Sequence, residues 1–147
     1  MNIVAGASRA IASMGLASVG ALHLSWALGS SWPARDRRSL AVATAGSTEF
    51  PPAVPTAAVG ATLAIGGVAA AGLMGDGRAV TLGRRALGVG PLGRAVLGGN
   101  RALRALGMPL ADARFRRLDD IYYRPLRGLL GVAVLAARST GRTGAAS

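Results

Sequence analysis

Four apolar blocks separated by polar connections run along the 147 residues of this chain. The first block, 10–28, carries no formal charge and is written mainly in Ala, Leu, Gly and Ser. A helix that crosses a hydrocarbon core of about 30 Å needs about 20 such residues, so the pattern predicts a transmembrane helix here. A cleaved signal peptide is the rival reading: Arg9 would close a basic leader and Ala27-Leu28-Gly29 resembles a small-x-small cleavage site. The apolar run, however, is longer than the usual leader core of about 7–15 residues. Residues 30–54 form a polar link with Arg35, Asp36, Arg37, Arg38, Glu49 and a Pro51-Pro52 pair. The second block, 55–74, is again free of charge and opens on Pro55, which suits a first helical turn because its missing N–H has no partner there anyway. Gly60, Gly66, Gly67 and Gly72 would weaken this helix in water, but in a membrane they let helices approach closely.

A short turn, 75–85, holds Arg78, Arg84 and Arg85 and leads to the third block, 86–108. Arg94, Asn100, Arg101 and Arg104 interrupt that block. An arginine at the centre of a membrane helix costs about 2.5–3.5 kcal/mol on an insertion scale, so these side chains must turn into a bundle or reach for the headgroups. A basic amphipathic helix lying on the membrane surface is the competing reading. The fourth block is apolar only over 125–137, and thirteen residues rise only about 20 Å. To cross, its helix must start earlier and cover 120–138, with Asp119 or Asp120 as N-cap and Pro125 placed to kink it. The tail 139–147 is small and polar and is expected to be disordered. The organisation predicted is a single domain over 1–138, all-α, folded as an integral membrane up-down four-helix bundle with spans 10–28, 55–74, 86–108 and 120–138.

Composition agrees with a membrane setting. Hydrophobic residues make up 51% of the chain and charged residues 16%, where a soluble domain carries about a quarter. Six aromatics and 22 glycines are a poor inventory for a core formed in water. All 17 basic residues are arginines, and the net charge is +11. They flank the apolar blocks, where they would meet anionic headgroups, and no nucleic-acid-binding motif accompanies them. The partners expected are therefore membrane lipid and a membrane protein or second copy of the chain, with no nucleic acid. Without cysteine and with His23 as the only histidine, neither a disulfide nor a zinc site is expected, and no cofactor is predicted. Gly88-x-Gly90-x-x-Gly93 lacks the preceding strand and following acid of a dinucleotide fingerprint.

The aromatics are placed selectively. Trp26, Trp32, Phe50, Phe115, Tyr122 and Tyr123 all fall in or beside the two connections that an up-down bundle puts at one membrane face. Tryptophan and tyrosine favour the interfacial layer, so the tryptophans are expected as interface anchors. His23 precedes Trp26 by three residues and shares its helix face, about one turn below that interface. The same topology brings Arg101, Asp119 and Tyr123 to this end, and ionisable groups inside a membrane segment point to function. A polar cluster of His23, Trp26, Arg101, Asp119 and Tyr123 is thus the candidate site, with Arg101 paired to Asp119. That pair would equally serve as a clamp between the third and fourth helices.

These residues carry a family resemblance. The stretch "ALHLSWALG" resembles an opening motif of alanine, leucine, His-x-x-Trp-x-x-Gly, and "NRALRALG" the arginine-bearing end of a third helix. "FRRLDDIYYRPLRGLLG" resembles a Phe-x-x-Leu-Asp, Tyr-x-Pro-Leu stretch. Together they are similar to the small actinobacterial membrane proteins grouped as domain of unknown function 3995, over roughly residues 10–137. The resemblance implies four membrane helices without an assigned activity and carries over His23, Trp26, Gly29, Arg101, Asp119, Tyr123, Pro125 and Leu126. Arg124 and Arg127 depart from the pattern, which has small residues there, and Arg94 is also unusual.

Three functions follow as expectations. The first is a membrane protein whose polar cluster binds a small amphiphile, a lipid headgroup or a partner protein. The second is a structural accessory subunit in which the glycine face of the second span docks a partner. The third is an intramembrane isomerase or hydrolase using His23, Asp119 and Tyr123; a triad through Ser25 is disfavoured because Ser25 lies about 200° around the helix from His23. No catalytic residue is assigned. Arginine counts at the two faces balance, but Arg9 directly precedes the first span, which favours cytoplasmic termini in a multi-pass plasma-membrane protein.

Overall fold

The computed structural model describes residues 3–75, 77–97 and 110–137. Its helices are α1 (Ile3–Ala27), α2 (Arg37–Ala45), α3 (Ala53–Ala70), α4 (Arg78–Leu97), α5 (Ala113–Leu118) and α6 (Arg124–Ala136). A π-helical turn, Asp119–Tyr123, joins α5 to α6 in one continuous rod. No strand occurs among the described residues, so the chain is all-helical. Two helices, α1 and α3, are long and apolar enough to cross a membrane.

Three boundaries differ from the hydropathy pattern. The link 30–54 is not plain coil but holds α2, started by Asp36: its carboxylate accepts from the Ser39 amide at 2.7 Å and the Ser39 hydroxyl at 3.0 Å. Those bonds, the amide first, hold the Asp36 carboxyl below its ordinary pKa. Next, α4 begins at Arg78 rather than 86, so Arg78, Arg84 and Arg85 are helical and not in a turn. Finally, the last rod is not capped by Asp119 or Asp120, both of which lie inside it. Asp112 caps it, accepting from the Arg114 amide at 2.7 Å. Hydropathy misses this start because charged residues occupy the first turns of the rod. Residues 98–109, with Arg101, and the tail 139–147 lie outside the described residues.

The long helices pack through glycine. A Cβ on Gly20 would lie 2.9 Å from the Gly60 carbonyl oxygen, and one on Gly60 would lie 3.0 Å from that of Gly20. At such distances no side chain fits, and the backbones of α1 and α3 touch. Gly67 meets Ser13 further along, so the two helices run antiparallel. The second pair repeats the device: a Cβ on Gly131 of α6 would lie 2.8 Å from the Gly88 oxygen of α4. In each pair the leucine four residues after the first crossing glycine, Leu24 or Leu92, covers the partner glycine. The two hairpins then join by leucines set against glycines, Leu130 on Gly15 and Leu87 on Gly66. Around these contacts lies a core of Ala12, Leu16, Ala70, Ala133, Val134 and Ala137. The glycine face of α3 is therefore used within the chain, against α1 and α4, and is not free for a partner protein as the accessory-subunit expectation supposed.

Because the helix contacts are built largely from glycine and alanine, many of the large apolar side chains point outward. Ile11 and Met14 on α1, Val59, Ile65 and Val68 on α3, and Leu129 and Val132 on α6 are exposed. On α4 the exposed residues Leu82, Val89 and Val96 recur every seven positions and form one stripe.

The glycine crossing sets a measurable threshold. Gly60→Ala is expected to lower the melting temperature of the purified protein, because overpacking a tight contact costs about 1–3 kcal/mol. Gly83→Ala, in α4 with open space around it, is expected to raise it slightly, since alanine favours a helix by up to about 1 kcal/mol over glycine. Equal effects from the two substitutions in a thermal melt would contradict the close approach.

Candidate functional site

At the end of the molecule where α1 finishes, α2 and α5 form a covering layer. Leu40 and Ala41 of α2 are buried with Ala111 and Phe115, and the Asp112 amide donates to the carbonyl of Gly46 at 3.2 Å. Gly46 ends α2 in the left-handed region, at φ 72°, where glycine is unstrained. A Cβ there would also collide with Ala111 and Phe115, so the residue serves both the turn and the packing.

Trp26, Phe50, Phe115 and Tyr123 lie in or against this layer, but not all of the aromatics face outward. Trp26 is buried, and its indole N–H donates to the Trp32 carbonyl at 2.7 Å. It is a packed ring rather than the interface anchor expected, whereas Trp32 is exposed. Arg37 ties the arrangement together. Its guanidinium donates to the Trp26 and Ser30 carbonyls at the C-terminus of α1, at 2.6 and 3.2 Å, and stands 4.5 Å from the centre of the Phe50 ring. A cation is favourable at this negative end of a helix. In the other hairpin Arg124 does the same, donating to the Ala95 carbonyl near the end of α4 at 2.9 Å while pairing with Asp120 at 3.0 Å.

His23 lies one turn below Trp26, with ring centres 4.9 Å apart. Its Nδ1 is 2.8 Å from the Val19 carbonyl oxygen, an acceptor, so Nδ1–H is the donor in this bond. The described contacts of the imidazole include no acid and no serine hydroxyl, and Ser25 spends its hydroxyl on the Leu22 carbonyl. The arrangement of a nucleophile activated by His23 is not formed among the described residues.

Asp119 is buried, and among the described residues Arg127 is the cation that pairs with it, at 2.5 Å. The π turn makes this contact possible. Eight positions along a regular α-helix place two side chains about 80° apart, but one inserted residue reduces the separation to the equivalent of seven positions, about 20° off one face. Arg127 also stands 5.6 Å from the centre of the Tyr123 ring, which in turn packs on Phe115. Asp119 and Tyr123 thus come together as expected, on a π turn that sits directly before Pro125. Arg101, the partner expected for Asp119, lies outside the described residues.

Between the hairpins opens a cavity of about 420 Å3. Its deep walls are apolar, from Leu16, Val19, Leu63 and Leu130, and its other end carries His23, Trp26, Thr44, Arg94, Tyr123 and Arg127. His23, Trp26 and Tyr123 of the predicted cluster therefore line one space, and Asp119 reaches it through Arg127. Arg94 and Arg127 were visible in the sequence only as odd charges in apolar blocks. Thr44 and Pro91, which also line it, carried no signal at all, because α2 and the line of α4 past its proline had to be known first.

A model of the family described as "Protein of unknown function (DUF3995)" matches residues 16–134. No curated protein and no solved structure matches the chain.

The ion pair across the π turn is testable by a double-mutant cycle. Asp119→Ala and Arg127→Ala are each expected to destabilise the protein by up to about 3 kcal/mol, since each removes one side of a hydrogen-bonded ion pair whose carboxylate is buried, with the partial exposure of Arg127 softening the loss. The double variant should lose less than the sum of the singles in thermal or denaturant unfolding. Strict additivity would show that the pair contributes nothing.

Proposed function

The chain belongs to the DUF3995 family, and from that premise we propose that it is an integral membrane four-helix protein that binds a small amphiphile in the cavity between its two hairpins. The observation that carries the binding reading is the cavity itself: apolar in depth, polar at one end, and within the size range of about 300–1,000 Å3 common to ligand sites. Apolar walls would hold a chain, and the cluster at the aromatic end would hold its head.

Support for the membrane setting comes from the inversion of size between inside and outside. Soluble proteins rarely expose extended apolar surface, yet all four long helical segments do so, including the Leu82–Val89–Val96 stripe of α4. Glycine and alanine at the contacts are what helices use when lipid, not water, is the solvent and packing rather than the hydrophobic effect must hold them together. The arginines fit this setting. Arg84 is buried within the protein, Arg78 and Arg85 lie in the first turns of α4 within reach of one headgroup layer, and Arg94, Arg124 and Arg127 lie toward the other. In this reading the protein is multi-pass in the plasma membrane with both termini in the cytoplasm and the aromatic end outward.

Native mass spectrometry of protein released from mild detergent tests the binding. Gly90 lines the cavity and a Cβ there would meet nothing within 4 Å, so Gly90→Leu is the substitution chosen to take up cavity space. A bound amphiphile is expected on the native protein and on Gly83→Leu, whose site is equally open but outside the cavity, and is expected to be lost from Gly90→Leu. A native protein that carries nothing, or an adduct that survives Gly90→Leu, would overturn the proposal.

A further inference from the structure

We infer that the occupant of this cavity is a single-chain amphiphile with an anionic head, a carboxylate or a phosphate, and that Arg94 is the residue that selects it; the inference rests on the binding reading above. The charges at the polar end lead to this conclusion. Arg127 already has an anionic partner in Asp119. Arg94 lines the same space, and among the described residues no hydrogen bond or ion pair engages it. The other polar lining groups, the His23 imidazole, the Thr44 hydroxyl and the Tyr123 phenol, bring no negative charge of their own at neutral pH. An unanswered guanidinium at the mouth of an apolar cavity is complementary to an oxyanion, which it binds through two parallel N–H donors.

Geometry fixes how the molecule would lie. Along α1 the lining runs from Leu16 through Val19, Leu22 and His23 to Trp26, a rise of about 15 Å from apolar to polar. The chain would extend toward Leu16, Leu63 and Leu130, and the head would stay beside Arg94 under the α2 layer, where Thr44 closes one side. A cavity of about 420 Å3, at the small end of the ligand-site range, matches one acyl chain better than two. Trp26, buried from the surroundings but facing the cavity, is a built-in reporter of occupancy.

The experiment uses the full chain carrying Trp32→Phe, which leaves Trp26 as the only tryptophan, in nanodiscs of zwitterionic lipid. Three probes of one chain length, each dibrominated near the head, are titrated while Trp26 fluorescence is followed: a fatty acid, an alkyl phosphate and the methyl ester of the acid. Saturable quenching is expected from at least one of the two anions. Arg94→Gln should raise that Kd by about tenfold, the worth of one charged hydrogen-bonded contact, and Arg94→Lys should restore part of it. Which anion binds more tightly identifies the head. Arg85→Gln, an exposed arginine outside the cavity, is expected to change nothing. Quenching by the ester equal to that by both anions, or indifference to Arg94→Gln, would overturn the anionic head while leaving the cavity reading intact. No saturable quenching by any probe would overturn both.

Discussion

Everything in this molecule depends on two places where helix backbones touch. At Gly20–Gly60 and again at Gly88–Gly131 nothing larger than hydrogen separates a Cα from the facing carbonyl oxygen. Such contacts gain from dispersion and close dipoles but bury little side-chain surface, so the interior cannot draw much on the hydrophobic effect. The large apolar residues that would otherwise form a core are left on the outside. An exterior of that kind suits an apolar solvent, and the glycine crossings thereby support the membrane setting proposed above.

The two crossings also explain where the cavity lies. Counted from Gly20 and Gly88, the residues two, three and six positions on are Leu22, His23 and Trp26 in one hairpin and Gly90, Pro91 and Arg94 in the other, and all six line the cavity. The hairpins repeat one architecture and diverge in side chains at these matching positions. One contributes two rings; the other contributes a glycine, a proline and a cation, and space opens between them. Arginines fasten the same end, Arg37 on the last carbonyls of α1 and Arg124 on that of Ala95. The π turn before Pro125 brings Arg127 onto the face of Asp119, which keeps a buried carboxylate compensated where the proline already disturbs the helix.

Much of this was legible in the sequence. The all-helical class, the two uninterrupted apolar helices, and the gathering of His23, Trp26 and Tyr123 at one end follow from hydropathy and spacing alone. What escaped did so for physical reasons. The α2 helix is short and amphipathic inside a polar link, and its start is signalled only by Asp36 three residues before Ser39. The last rod starts at Asp112, in a charged stretch that hydropathy treats as a loop. A π turn has no sequence signature, so the register that joins Asp119 to Arg127 could not be counted from a regular helix. Trp26 was assigned outward by residue type, yet its indole N–H finds a carbonyl inside the protein and has no need of the interface.

The central claim, four crossings in alternating directions, is tested most directly by cysteine accessibility, for which a chain without native cysteine is well suited. Ser47→Cys in the loop after α2, Ala113→Cys at the start of α5 and Gly77→Cys before α4 are all at exposed positions. Treated with an impermeant maleimide in intact cells, Ser47→Cys and Ala113→Cys should label from outside, and Gly77→Cys only after lysis. Reversal of all three would turn the protein over and leave the bundle standing. Labelling of positions 47 and 113 from opposite sides, or of 77 from the same side as 47, would contradict the account, because a helix assigned to cross the membrane would then lie on its surface.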